Sequence, residues 1–340
     1  MPNGLFYIAA CGEEPKAGIY TGTMDAGKFR QEAFLPFPGV SYLLYSRDRR
    51  FLYASIEGDP GGLAAFAILP DGSLQPMSSQ LEAGNRCCHL AQSPDGHFLY
   101  AANYRRGQLL EYPLDGDNIG ALRQRIQHTG KGINPDRQEG PHVHYVLVSP
   151  EQKYLCAVDL GLDTIDAYRL TPNGLEPTPA HTSHITPAGS GPRHFVFSAD
   201  GSHAYLLNEL ANTVIALDYR DGAFTQRQTV PLLPPATSVF SKASAIRLSA
   251  DQRFLLCSNR GYDTLVTFRI QEDGSLLQAF SGFCGGSSPR DVNFLPGGNK
   301  FLVGCENTRN AFFFDYHPET GTFFPDGNVL VDFPRPICII

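Results

Sequence analysis

Apolar residues in this chain come in short runs, and the runs repeat. Val146-Leu147-Val148 is followed by a polar turn, then by Tyr154-Leu155-Cys156-Ala157-Val158, then by the alternating Thr164-Ile165-Asp166-Ala167-Tyr168. β-Branched and aromatic residues at period 2, punctuated by turn residues, are strand signals. No segment keeps a helical period over more than two turns. The order recurs: an apolar strand, a turn with Asp and often Gly, a second apolar strand, a third alternating strand and a weaker fourth. Ser93-Pro94-Asp95-Gly96, Ser149-Pro150-Glu151-Gln152 and Ser198-Ala199-Asp200-Gly201 mark three copies, and others begin at Ser46, Ser249 and Leu295. The six starts lie 47, 56, 49, 51 and 46 residues apart. Four-stranded antiparallel units of this length predict the blades of a β-propeller.

The two ends supply a seventh blade. Phe333-Pro334-Arg335-Pro336-Ile337-Cys338-Ile339 echoes Ser288-Pro289-Arg290-Asp291-Val292, which opens the sixth unit, and no second strand follows the echo. Strand-forming runs at 5–10, 18–23 and 29–35 provide the missing partners. A blade shared between about 1–36 and 333–340 leaves no open sheet edge and ties the ring shut. The expected fold is all-β: one seven-bladed β-propeller domain over 1–340, closed by its N- and C-terminal strands. A six-bladed ring with loose termini is the alternative, and the strand formers at both ends speak against it.

In a repeat, structural positions look alike from unit to unit, whereas a site built at one place in space varies. Two columns vary. The first, five residues before each starting Ser, holds Ser41, Cys88, His144, Arg193, Ser244, Arg290 and, in the terminal blade, Arg335. The second, eleven residues after it, holds Glu57, Tyr104, Leu160, Glu209, Arg260 and Glu306. The first two strands form an antiparallel hairpin, so both columns ring the same end of the channel. Arginine suits bidentate capture of carboxylate or phosphate, and the histidines His142, His144 and His194 stand among these arginines. The expected ligand is a small anion.

Composition narrows the field. A net charge of −7 argues against nucleic-acid or anionic-membrane partners. The start, Met1-Pro2-Asn3-Gly4-Leu5-Phe6, lacks the basic and apolar regions of a signal peptide, and no apolar run approaches the ~18 residues of a membrane helix. The eight cysteines form no CxxC pair, and most sit in apolar runs as small hydrophobes. These features predict a reduced, cytoplasmic protein, monomeric or weakly self-associating. There is no GxSxG elbow and no P-loop, and no helix follows the Gly-rich 282–286. His142-Val143-His144 is the one candidate metal pair, but no matching carboxylate or Cys cluster accompanies it. No metal or cofactor is expected.

Several stretches together resemble the lactonase family of seven-bladed propellers: Gln127-His128-Thr129-Gly130, Asn134 to His144, Gly191-Pro192-Arg193-His194, Asn208-Glu209-Leu210, Ser258-Asn259-Arg260-Gly261 and Pro336-Ile337-Cys338. The resemblance runs the length of the chain. It implies a site of one His, two Arg and one Glu at the mouth, which fall on His144, Arg193, Arg260 and Glu209. It also implies a substrate class: sugar lactones, with 6-phospho-D-glucono-1,5-lactone foremost. Other lactones, a cycloisomerase acting on a carboxymuconate, and a non-catalytic binding propeller are the alternatives. For hydrolysis, Glu209 is the expected general base, with His144 as alternative base or acid. Arg193 would stabilise the oxyanion. Arg260, Arg290 and Arg335 would hold the distal anion, helped by Arg105, His194 and His142. A Glu beside two Arg tends to a lowered pKa, which weakens it as a base.

Overall fold

The computed structural model describes residues 4–12, 15–25, 28–116 and 118–340; the first three residues of the N-terminal reading lie outside them. The described residues form seven antiparallel sheets and no helix. Blades one to six occupy 40–82, 87–127, 143–184, 192–231, 242–283 and 289–330. In the seventh, Lys28–Pro36, Gly18–Asp25 and Leu5–Ala10 pair in that order, and the C-terminal Pro336–Ile339 adds to Leu5–Ala10 as the innermost strand. In blades two and three the outer strand is split into two short pieces; in blade three Pro177 and Pro179, which cannot donate to a ladder, fall between the pieces.

The repeated Ser and Asp do structural work at the end of the ring away from the chemistry. Ser93 Oγ donates to Asp95 (2.5 Å) and accepts from the Phe98 amide (2.9 Å), and Ser46 and Ser249 do the same with Asp48 and Asp251. Each turn thus fixes the register of its hairpin. The apolar faces of neighbouring blades pack against each other. Tyr205, Leu207 and Val214 of blade four, for example, meet Leu255, Cys257 and Val266 of blade five. All but one of the eight cysteines are fully buried, and all are free thiols.

At the other end every innermost strand carries a β-bulge at the same place. The register slips between Val40 and Tyr42, Cys87 and His89, Val143 and Tyr145, Pro192 and His194, Ala243 and Ile246, and Pro289 and Asp291. A bulge leaves one residue unpaired and re-aims its side chain. The unpaired residues are Ser41, Cys88, His144, Arg193, Ser244 and Arg290, the first variable column, joined in blade five by Ala245. One residue further along, Tyr42, His89, Tyr145 and His194 converge, with ring centroids 4.2, 3.8 and 4.6 Å apart in sequence around the axis. His89 of blade two also meets His194 of blade four across it, at 5.6 Å. Arg247 and Asp291 complete this layer with a 2.7 Å ion pair, and Asp291 accepts the Ile339 amide, joining blades five, six and seven. The channel is therefore plugged one layer down, and its mouth is a cup.

Candidate active site

The cup has a volume of about 810 Å³, ample for a phosphorylated sugar. Its wall includes Cys88, His144 and Arg290 of the bulge residues and Glu57, Tyr104, Glu209 and Arg260 of the second column, which begins where each second strand ends; Arg193 lies below it, lining a smaller void with His194. Backbone bonds lock the two together: the Glu209 amide donates to Gly191 O (2.7 Å), Glu57 to Gly39 O (2.6 Å) and Glu306 to Ser288 O (2.9 Å).

Glu209 is the centre of charge. Its Oε1 accepts from Arg137 (2.7 Å), and its Oε2 accepts from Arg260 (2.8 Å) and Arg193 (3.1 Å). Burial works against the charge, but Arg260, Arg193 and Arg137 outweigh it and hold the carboxyl well below the usual range. Burial first, and then the neighbouring Arg290 and Arg260, push the Arg193 guanidinium down to about 9, still charged at neutral pH. Arg193 also donates to Ser244 O and lies over the His194 ring. One carboxylate shared by three guanidiniums leaves positive charge in excess, and an anion entering the cup finds that excess unneutralised.

His144 faces the cup from its bulge, with Nδ1 3.9 Å from the Cys88 thiol. Burial and Arg193 hold its pKa well below the ordinary value, so the ring is neutral at pH 7. Cys88 stays a thiol, pushed up to about 12 by burial. His194 sits in the plug under Arg193 and does not line the large cup; burial and Arg193 depress it as well. His142 lines the cup, stacked on Tyr104 at 4.5 Å, with Nε2 3.1 Å from Glu139. Tyr104 stands between the members of the supposed metal pair, stacked on His142 and edge-on to His144 (5.3 Å). Among the described residues no three His, Cys, Asp or Glu side chains converge on one point.

Three neutral buried histidines, His89, His144 and His194, have a consequence for stability. Their folded pKa values lie below the unfolded ~6.5. The unfolded chain therefore takes up protons first as pH falls. Stability is full above about 6.5 and falls below it by roughly 1.4 kcal/mol per pH unit for each ring, ~4 for three, until the folded rings titrate. Denaturant unfolding at pH 7.5, 6.5 and 5.5 checks this; a flat profile would contradict it.

One expected position needs correcting. Arg335 is not the seventh member of the bulge column. Pro336 pairs with Ala10 and Cys338 with Ala9, so the unpaired residue is Ile337. Arg335 precedes the strand in a left-handed conformation (φ 37°), as Ser288 does in blade six (φ 63°). From there it binds Glu306 at 2.7 Å, and its carbonyl accepts the Cys11 amide, which makes Cys11 the seventh member of the second column. Arg290 lines the cup as expected, 3.9 Å from Glu306, and Arg105 is an exposed residue at the rim. Arg137 was missed. It lies in the connection 128–142, the longest between blades, where length itself is a functional signal. That connection is pinned at both ends by Asp159, which binds His128 Nδ1 (2.8 Å) and the His142 amide (2.7 Å), and in the middle by Gln138 donating to Leu160 O (2.9 Å). It carries Arg137 from the edge of blade three to Glu209 in blade four. Lys242 and Arg86, also on the cup wall, were missed because each lies two residues outside the first column.

Fold and site together define a closed propeller built around a blind, cation-rich cup. The chain belongs to the seven-bladed β-propeller lactonase family, whose model matches residues 6–340. It is 32% identical over its whole length to a Bacillus subtilis protein named 6-phosphogluconolactonase, covering 98% of that protein. Among solved structures, a protein from Lactobacillus plantarum is 30% identical with a TM-score of 0.92, each chain 99% covered. The periplasmic gluconolactonase PpgL of Pseudomonas aeruginosa is 30% identical with a TM-score of 0.90, covering 99% of this chain and 98% of that one.

Proposed function

We propose that this protein hydrolyses a sugar lactone, 6-phospho-D-glucono-1,5-lactone foremost, to the open hydroxy acid as part of pentose phosphate metabolism. The observation that carries the reading is the three-arginine clamp on Glu209 beside a neutral His144 in a blind cup. Water attacks the lactone carbonyl, and the charge that develops on its oxygen meets Arg260 on the cup wall, with the buried Arg193 behind it; both are held in place before reaction by Glu209. A carboxylate whose two oxygens already accept three charged donors is a poor proton acceptor, so Glu209 orients the arginines. The neutral His144 takes the proton from water and returns it to the ring oxygen as that bond breaks. Lys242 of blade five and Arg290 of blade six offer the distal phosphate a cationic wall, Arg105 and His142 face it from the rim at blades two and three, and Arg335 acts through its ion pair with Glu306. The free thiols fit a reducing compartment, and we infer a cytoplasmic enzyme.

The test is turnover of 6-phosphogluconolactone and of plain glucono-1,5-lactone, each with chelator present. The phosphorylated substrate is expected to lead in kcat/KM by about 10- to 100-fold, the worth of one or two charged hydrogen bonds. The double variant Lys242→Met, Arg105→Met should erase that lead and leave the plain lactone unaffected. Equal turnover of both would favour an unphosphorylated substrate, as the name of the Pseudomonas relative suggests for that protein. No turnover of either would favour a binding propeller.

A further inference from the structure

Besides the half-solvated Glu139, three carboxylates stand at the mouth, and two of them are committed. Glu209 has three guanidiniums within 3.1 Å, and Glu306 has Arg335 at 2.7 Å with Arg290 at 3.9 Å. Glu57 is different. Its nearest charged partner, Arg335, is 3.7 Å away, and the Cys11 thiol approaches the same oxygen at 3.7 Å. Its Oε1 has no partner among the described residues. Beneath the cup lies a second, polar void of about 30 Å³. Glu57, Cys88, His144 and Arg290 line both spaces and so form the neck between them. About 10–15 Å³ of such space, with two to four polar partners, accommodates one water.

We infer that Glu57 positions the attacking water at this neck together with His144, an inference that rests on the lactonase reading above. Water held there donates one proton to the Glu57 carboxylate and the other to a ring nitrogen of His144. Its lone pairs then face the lactone carbonyl in the cup. As the O–C1 bond forms, the proton passes to His144. When the C1–O5 bond breaks, O5 takes that proton back from the imidazolium. The second proton of the water stays on the new carboxylic acid and leaves to solvent. Glu57 undergoes no net protonation; it adds a second carboxylate to Glu209, whose charge favours the imidazolium that burial and Arg193 oppose. Cys88, at the same neck, is held as a thiol and serves as wall.

Glu57→Gln and Glu57→Asp test this with 6-phosphogluconolactone as substrate. Glu57→Gln is expected to lower kcat about 10- to 100-fold, short of the ~10²–10⁴ of a full general base, with KM changed less than about threefold. Its acid limb should move to lower pH, because the imidazolium keeps Glu209 but loses the second carboxylate at the neck, and Glu57→Asp should restore part of kcat. Thermal unfolding should match wild type. A Glu57→Gln variant with wild-type kcat, or one whose lost kcat comes with an unmoved acid limb and a lowered Tm, overturns the role of Glu57 while leaving the lactonase reading standing. A wild-type protein inert towards every lactone overturns both.

Discussion

Glu209→Gln is expected to lose both activity and stability. The amide keeps the shape and removes the only charge that Arg137, Arg193 and Arg260 share. Arg193 and Arg260 are almost wholly enclosed, with side chains 5% and 12% exposed. Removing one partner from a buried ion network costs about 3–5 kcal/mol, because the remaining charges stay desolvated without compensation. The arginines would turn from one another and from the position of the oxyanion, and misplacing such donors costs roughly 10²–10³ in kcat each. We expect a fall of at least ~10³ in kcat/KM together with a lower Tm. The pairing of the two effects is diagnostic. A general base replaced by its amide loses rate and leaves the fold untouched. A variant with wild-type Tm and crippled kcat would therefore return the base role to Glu209.

That prediction turns on what the sequence could and could not reveal. The ring was legible because a propeller repeats its apolar pattern six times, and because strand formers remain at both ends once six blades are assigned. The mouth columns were legible for the same reason, since a bulge at one place in every inner strand removes those residues from the core and frees them to differ. The slip at Arg335 has a local cause. Pro334-Arg335-Pro336 offers two prolines, either of which can be set against Pro289, and the bulge that decides between them is a property of pairing with Ala9 and Ala10. Arg137 was hidden because it belongs to a connection and not to the repeat; the length of 128–142 and the family-like stretch Asn134 to His144 pointed to the segment but not to this side chain. The inequality among Glu57, Glu209 and Glu306 was hidden because a column shows which side chains share a rim but not how far each stands from an arginine.

The same distances assign the proton chemistry, and His144 carries the second large effect. His144→Ala is expected to lower kcat by about 10²–10⁴, the usual contribution of a positioned base, with little change in KM, since the arginines that grip the substrate remain. Its pH dependence is more telling than its size. A base must be unprotonated to act, and burial and Arg193 keep this one unprotonated to well below pH 6.5. Wild-type kcat should therefore hold as pH falls through 6.5 and drop only further down. Arg290 is one of the charges that depress it, so Arg290→Met should stabilise the imidazolium and move the acid limb upward, whatever it does to substrate affinity. Measuring kcat against pH over the range in which the protein stays folded distinguishes the candidates. If His144→Ala retains the wild-type limb, the titrating base lies elsewhere. If Arg290→Met leaves the limb unmoved, the group that titrates is not the ring beside it.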